Sequence, residues 1–263
     1  VYFEFLERKT CFPFKIYGTS TTAKDITVDI TKSSQFMSAI LMAGVCAAGG
    51  VRVNASGNHG MEYVDMTADI MWSFGAGPVE EWAQLADERG ENGQTILSFG
   101  NNYSVGAQRG DVYIVDGTYS ARKYDIEPDV SAACYFYAMN RILGTDIKVK
   151  GIMPHSMQGD MRFIELMKSG FDGGEVDMSA FSDQALTMAA IAPYFSKPTH
   201  ICGIEHIRGQ ECDRIAAIIC NLSAMGIECR EEGSGVVIFP GTPRPAELQT
   251  FGDHRVAMSF AIT

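Results

Sequence analysis

Long hydrophobic runs, proline and positive charge are all scarce in this sequence. Proline makes up 9 of the 263 residues, and no apolar run reaches the roughly 18 residues that cross a membrane. Lys and Arg number 21 against 32 Asp and Glu, which gives a formal net charge of −11. An acidic chain of this kind is unsuited to a nucleic-acid groove or an anionic membrane surface. We therefore expect neither nucleic acid nor a membrane as a partner.

Paired or metal-binding cysteines are missing as well. The seven cysteines include no C-x-x-C pair, and no Cys/His group has the spacing of a zinc site. Their number is odd and they lie in apolar or helical surroundings. We expect reduced, mostly buried thiols in a cytoplasmic protein, and no bound metal.

A repeated pattern of helices is present instead, in a chain long enough for two domains. Predicted helices start in pairs with a nearly constant interval between the two starts. The pairs are Ser34 and Tyr63, Val130 and Asp160, and Asp183 and Cys212. A further helix is predicted from Gly252-Asp253 onward. A supersecondary unit repeated in this way, with strands between its helices, predicts the α/β class (α+β by some schemes).

Strands are predicted where short runs alternate or are rich in β-branched residues. The predicted strands are Phe12–Gly18, Ile26–Ile30, Val51–Asn54, residues 94–98, Val112–Val115, Ile147–Val149, His200–Gly203, Ile227–Cys229 and Val236–Phe239. The helix pattern restarts after Glu127-Pro128, which is the predicted boundary between domains 1–126 and 127–263.

Polar residues cluster at the predicted helix starts, where Ser and Asp commonly act as caps. Arg162, Arg214 and Arg255 need another explanation, because the first turn of a helix disfavours positive charge. Arginines beside helix N-termini can bind phosphate or carboxylate groups. Arg214 and Arg255 could equally form structural ion pairs with nearby acidic residues. Asp183 and Glu211 are then the acid/base candidates, and a non-catalytic anion-binding module is the rival interpretation.

Common nucleotide-binding and hydrolase motifs do not occur. The sequence has no P-loop, no G-x-G-x-x-G after a strand and no G-x-S-x-G. Ser33-Ser34 has no histidine placed by the sequence as its base, so a phosphate ligand or a helix cap is the better interpretation.

Five ordered motifs resemble the 5-enolpyruvylshikimate-3-phosphate synthase family. They are Ser33–Phe36 (SSQF), Glu127–Ala133, Ser156–Asp160 (SMQGD), Arg208–Arg214 and Gly252–Met258. The resemblance implies two similar domains of repeated βαβαββ units, to which residues 1–126 and 127–263 would contribute, closing on substrates at an interdomain cleft. The implied reaction transfers the enolpyruvyl group of phosphoenolpyruvate to the 5-hydroxyl of shikimate 3-phosphate and releases phosphate. It serves chorismate and aromatic amino acid biosynthesis and needs no metal or cofactor.

The resemblance also implies roles for individual residues. Asp183 corresponds to the base for the attacking hydroxyl, and Glu211 to the acid/base for the enolpyruvyl methylene. The implied shikimate 3-phosphate ligands are Ser33, Ser34, Gln35, Tyr63, Asp183, His206 and Gln210. The implied phosphoenolpyruvate ligands are Gln35, Arg214 and Arg255.

Some features depart from the family. Gln210 stands where many members carry a substrate-binding lysine, and Gly60-Met61-Glu62 lacks the usual Ser-x-Pro. We expect further family segments outside this chain, and therefore a monomeric fragment that is inactive alone. A UDP-N-acetylglucosamine enolpyruvyl transferase and a truncated anion-binding homologue remain the alternatives.

Overall fold

The computed structural model describes residues 2–18, 25–31, 33–47, 50–57, 60–80 and 112–263. The chain forms two compact units, Val1–Arg122 and Lys123–Thr263. The division falls slightly before the predicted boundary, and the identity of the units as enolpyruvyl-transferase domains stays a prediction. The strand predicted at residues 94–98 lies outside the described residues.

The first unit contains a hairpin and a four-stranded sheet. The hairpin pairs β1 with β2 antiparallel, and the sheet has the order β3-β4-β6-β5. Strands β3 and β4 are parallel, whereas β6 runs antiparallel to both β4 and β5. The elements are β1 (Tyr2–Phe5), β2 (Phe14–Tyr17), β3 (Asp25–Asp29), α1 (Gln35–Gly44), β4 (Val51–Ser56), α2 (Met61–Ser73), β5 (Ala76–Glu80) and β6 (Val112–Gly117). From β3 to β6 the described residues therefore follow the order βαβαββ.

The second unit repeats this topology. Its sheet has the order β7-β8-β10-β9, with β7 and β8 parallel and the other neighbours antiparallel. Its elements are α3 (Val130–Leu143), α4 (Met161–Lys168), β7 (Gly174–Asp177), α5 (Ala185–Ile191), β8 (Thr199–Cys202), α6 (Arg214–Ala224), β9 (Cys229–Glu232), β10 (Gly235–Ile238) and α7 (His254–Phe260). The α/β class and the βαβαββ unit are thereby confirmed.

Helix α5 forms the centre of the second core. All seven of its residues are buried, because the helix is apolar around almost its whole circumference and must be covered on every side. It packs against α3, α6 and α7. The first unit is covered less completely, since α1 buries only Met37, Leu41 and Gly44.

Several predicted elements differ from the structure. Ile147–Val149 forms no strand, because the Asn140 side chain takes both backbone groups of Ile147. Asn140 Oδ1 accepts the Ile147 N–H at 2.7 Å, and its Nδ2 donates to the Ile147 carbonyl at 2.8 Å. Strands β1, β5 and β7 were not anticipated; Gly77-Pro78 in β5 argues against a strand by composition.

The thiols differ from expectation too. All seven cysteines are free, but only Cys134 is buried, while Cys11, Cys46 and Cys220 are exposed. The prediction of mostly buried thiols was wrong. None of the helices in the described part of the chain is both long and apolar enough to span a membrane.

Candidate active site

In the first unit, two helix starts meet at one edge of the sheet. Strands β3 and β4 are parallel and end side by side, with Asp29 opposite Ser56. Helices α1 and α2 follow these two ends, as is usual for ligand-binding edges of α/β sheets. Ser33, Ser34 and Gln35 thus lie at the start of α1, and Tyr63 lies in the first turn of α2.

Ser34 is held against the turn that opens α2. A Cβ on Gly60 would lie 2.6 Å from Ser34 Oγ, and Gly60 has a φ of +64°. Only glycine permits this approach and this backbone conformation without strain. Ser33 Oγ accepts the Gln35 N–H at 3.3 Å, while Gln35 and Tyr63 are exposed.

In the second unit, Arg214 lies at the centre of a charged cluster. It is the first residue of α6 and is 1% exposed. Its Nε donates to Asp253 Oδ2 at 2.8 Å, and its Nη2 donates to Glu211 Oε2 at 2.7 Å and to Asp253 Oδ1 at 3.5 Å. Its Nη1 donates to Asp183 Oδ1 at 3.3 Å and to Gln210 Oε1. A buried guanidinium requires such a set of acceptors, because an uncompensated buried charge is costly.

Asp183 joins Arg214 to the second arginine. Its other oxygen, Oδ2, lies 3.0 Å from Arg255 Nη2. Asp183 lies on a 3-10 turn, Ser182–Gln184, just before α5, while Arg255 lies in the first turn of α7. Three separate elements therefore bring one carboxylate and two guanidinium groups together.

Asp253 is the buried partner of Arg214. Its side chain is 0% exposed, and it also caps α7 by accepting the Arg255 N–H at 2.8 Å. Burial alone would raise the pKa of Asp253, but the hydrogen bonds from Arg214 and from the Arg255 N–H hold the pKa below its usual value. A structural ion pair was one of the two interpretations of Arg214 from the sequence. The pair is present, and Asp253 is its buried partner.

Asp213 and Arg208 have a structural arrangement beside this cluster. Asp213 caps α6, with Oδ1 accepting the Ala216 N–H at 3.0 Å. Arg208 donates to both carboxylate oxygens of Asp213 and also pairs with Glu231. Together they fix the start of α6, and hence the position of Arg214.

His206 is brought to the same place. Its Nε2 lies 2.8 Å from the hydroxyl of Ser182, the residue before Asp183. Six of the predicted site residues therefore gather in the second unit: Asp183, His206, Gln210, Glu211, Arg214 and Arg255. Arg162 lies elsewhere, exposed in the first turn of α4.

A buried polar network anchors Gln184, the residue after Asp183. Gln184 Nε2 donates to Asp160 Oδ2 at 2.9 Å, Ser131 donates to the same oxygen, and Thr187 donates to Gln184 Oε1 at 3.1 Å. Burial raises the pKa of Asp160, and the hydrogen bonds from Ser131 and Gln184 oppose that shift. Sequence reasoning missed both Asp160 and Asp253 as contributors, although each was recognised as part of a helix start.

The cluster can bind anions and move a proton. Two guanidinium groups beside helix starts suit phosphate and carboxylate oxygens. A carboxylate in hydrogen-bonding range of a bound hydroxyl can accept its proton. The arrangement therefore suits acid/base chemistry on an anionic substrate.

Comparison with known proteins identifies the same family as the motifs. The family model described as EPSP synthase (3-phosphoshikimate 1-carboxyvinyltransferase) matches residues 2–86, 96–172 and 164–263.

Curated relatives carry the same name. A 3-phosphoshikimate 1-carboxyvinyltransferase of Nostoc punctiforme is 30% identical over 270 residues, covering 95% of this chain and 58% of the relative. The 3-phosphoshikimate 1-carboxyvinyltransferase 2 of Halalkalibacterium halodurans is 32% identical over 283 residues, covering 98% of this chain and 57% of the relative. The chain thus spans less than two thirds of the length of either relative.

A solved structure has the same fold. An EPSP synthase from Acinetobacter baumannii superposes with a TM-score of 0.68 at 20% identity, covering 99% of this chain and 60% of that one.

Proposed function

The chain belongs to the EPSP synthase family, and we propose that it carries catalytic and binding residues for that family's reaction. In this reaction the enolpyruvyl group of phosphoenolpyruvate is transferred to the 5-hydroxyl of shikimate 3-phosphate, and phosphate is released. The observation that carries the proposal is the convergence of Asp183, Arg214 and Arg255 in the second unit.

Phosphoenolpyruvate is proposed to bind at the arginines. Its carboxylate and phosphate are both anionic, and Arg214 and Arg255 supply hydrogen-bond donors and positive charge at helix starts. Gln35 in the first unit is assigned to the same ligand. The protein as a whole is acidic, so attraction of this ligand depends on these local groups.

Asp183 is proposed to accept the proton of the 5-hydroxyl. That oxygen then bonds to C2 of phosphoenolpyruvate while the methylene carbon gains a proton, which gives a tetrahedral intermediate. Loss of a proton from the new methyl group and departure of phosphate regenerate the enolpyruvyl double bond. Glu211 is assigned to these two proton transfers at carbon.

Shikimate 3-phosphate is proposed to contact hydroxyl, amide and aromatic side chains. Ser33, Ser34, Gln35 and Tyr63 of the first unit are assigned to it, as are His206 and Gln210 of the second. Gln210 is neutral and accepts a hydrogen bond from Arg214, so it cannot supply the proton or charge of a lysine. Proton transfer therefore rests on Asp183 and Glu211.

A phosphate-release assay with three acceptor conditions tests the proposal. The full-length protein that carries this chain is supplied with phosphoenolpyruvate and either shikimate 3-phosphate, UDP-N-acetylglucosamine or no acceptor. Release with shikimate 3-phosphate alone is the expected result. Release with the nucleotide sugar instead would assign the sister reaction, and binding of phosphoenolpyruvate without release would favour an anion-binding homologue.

We further propose that the protein works as a cytoplasmic monomer. Its seven free cysteines fit a reducing compartment. Light scattering coupled to gel filtration checks the oligomeric state, for which the mass of a single chain is expected.

A further inference from the structure

Every N–H donor of Arg214 already has a protein acceptor. A guanidinium group has five donors, and Arg214 makes five hydrogen bonds, to Asp183, Gln210, Glu211 and twice to Asp253. An anionic ligand can therefore bind Arg214 only if one of these acceptors leaves.

The formal charge of the cluster leads to the same requirement. Two guanidinium groups, of Arg214 and Arg255, face three carboxylates, of Asp183, Glu211 and Asp253. The sum is negative before any ligand arrives, and a further anion in a poorly solvated place would be repelled. Exchange of one carboxylate for another leaves the charge unchanged.

The three carboxylates differ in how easily they can leave. Asp253 is fully buried and also caps α7, so its departure would leave a buried charge unpaired. Asp183 is 22% exposed and is shared between two arginines. The Glu211 side chain is 51% exposed and touches Arg214 through one oxygen, from the irregular segment before α6. Because half of the Glu211 side chain stays in contact with water, its pair with Arg214 is weaker than the buried Arg214–Asp253 pair.

We propose that Glu211 is an exchangeable internal ligand of Arg214, which the carboxylate of the bound substrate replaces on Nη2. The identity of that substrate as phosphoenolpyruvate rests on the proposed function above. The exchange makes the site specific for ligands that carry a carboxylate, because the departing group is one. The exchange also frees the Glu211 carboxylate only when the ligand is bound. Glu211 is three residues from Arg214, which holds the ligand, so the freed carboxylate stays close to it.

Calorimetric titration with phosphoenolpyruvate tests the exchange, because the exchange predicts that substitutions of Glu211 raise the affinity. Glu211→Gln removes the charge at constant shape, and Glu211→Ala removes the competing group. Both should bind phosphoenolpyruvate more tightly than the wild type, by about two- to fivefold, which corresponds to the strength of an exposed ion pair. Glu231→Gln is the matched control, because Glu231 is another half-exposed carboxylate paired with an arginine in the same unit, and it should leave the affinity unchanged.

Weaker or unchanged binding in both Glu211 variants would overturn the proposal, because a residue that only positions Arg214 lowers affinity when it is removed. Absence of binding in the wild type and in both variants would overturn it as well. Phosphate release, measured on the same variants, distinguishes failure of the exchange from failure of the proposed function. Tighter binding supports the exchange whether turnover is kept or lost, and weaker binding with turnover still specific for shikimate 3-phosphate contradicts the exchange alone.

Discussion

The two βαβαββ units have the same strand order but carry different chemistry at the same edge. In the first unit, hydroxyl and amide groups of Ser33, Ser34 and Gln35 stand at the helix start after the first strand. In the second unit, the corresponding place holds Asp183, and the next helix begins with Arg214. The topology supplies two adjacent helix starts in each unit, whereas the side chains decide what chemistry is found there.

The difference in chemistry follows the difference in burial. Helix α5 is completely buried, and the charged cluster lies against it with Arg214 and Asp253 almost fully covered. Helix α1 buries only one stripe, and Gln35 at its start is exposed, although Ser34 before it is buried. Charges interact more strongly where water is excluded, so the second unit can concentrate the acid/base groups. Substitutions should therefore have larger consequences there than in the first unit.

The largest effect is expected for Asp183→Ala. Removal of a positioned base should reduce turnover about 10²- to 10⁴-fold, while shikimate 3-phosphate still binds through the remaining groups. Phosphate release by the full-length protein measures the first effect, and calorimetry the second. Unchanged turnover would refute the assigned base, whatever the affinity for shikimate 3-phosphate.

Arg214→Met should follow in magnitude, because it leaves the buried Asp253 carboxylate without its partner. Breaking a buried ion pair from one side typically costs about 3–5 kcal/mol. Urea unfolding of the chain reports this loss, and phosphoenolpyruvate binding should disappear with it. The double variant Arg214→Met, Asp253→Leu should recover part of the stability, because it also loses the α7 cap at a cost of about 1 kcal/mol, but it should not recover binding, which separates the two roles of the arginine.

Gly60→Ala should produce a smaller loss, located in the first unit. A side chain at the left-handed φ of Gly60 costs about 1–2 kcal/mol, and its Cβ would press on Ser34 Oγ. Gly144→Ala is the matched control, because Gly144 has a similar φ of +63° but open space around its Cβ. We expect both variants to be destabilised and only Gly60→Ala to lose affinity for shikimate 3-phosphate. Equal affinities in the two variants would remove Ser34 from the proposed ligands.

Acid should destabilise the second unit before the first. Of the four predicted effects, this is the smallest. Burial would raise the pKa of Asp253 and of Asp213, but their hydrogen bonds hold each pKa below its usual value. A carboxylate with a lowered folded-state pKa stabilises the fold above its unfolded pKa, about 3.9, and this stability is lost as the pH falls through the folded-state pKa. Burial raises the pKa of Asp160, so its contribution is destabilising near neutral pH, and that cost is relieved in acid.

The tryptophans allow the two units to be followed separately in acid. Trp72 lies in α2 of the first unit, and the sequence has no tryptophan after residue 82, whereas Asp172, Asp177, Asp213 and Asp253, whose pKa values are lowered, belong to the second unit. Below about pH 4, helical circular dichroism should decline before tryptophan fluorescence changes. Asp160→Asn removes the opposing contribution and should make the decline steeper. Simultaneous loss of both signals would contradict the separation.

Local patterns predicted the helices better than the strands. Asp129, Asp213 and Asp253 are helix caps in the structure, and each stood at a predicted helix start, because capping acts over three residues of chain. Strands need partners from elsewhere. Ile147–Val149 has the composition of a strand and does not form one, whereas Gly174–Asp177 forms one beside β8 despite its two polar residues and glycine.

By itself the sequence determined the α/β class, the repeat, the starts of most helices and, through its motifs, the family. These depend on periodicity and capping, which act between residues close together in the chain. The tertiary structure alone decided that Arg214 is buried, that Asp253 is its fixed partner and that Asp183 joins it to Arg255. Those partners lie tens of residues apart, and only the packing of α5, α6 and α7 around one core brings their charges within hydrogen-bonding distance.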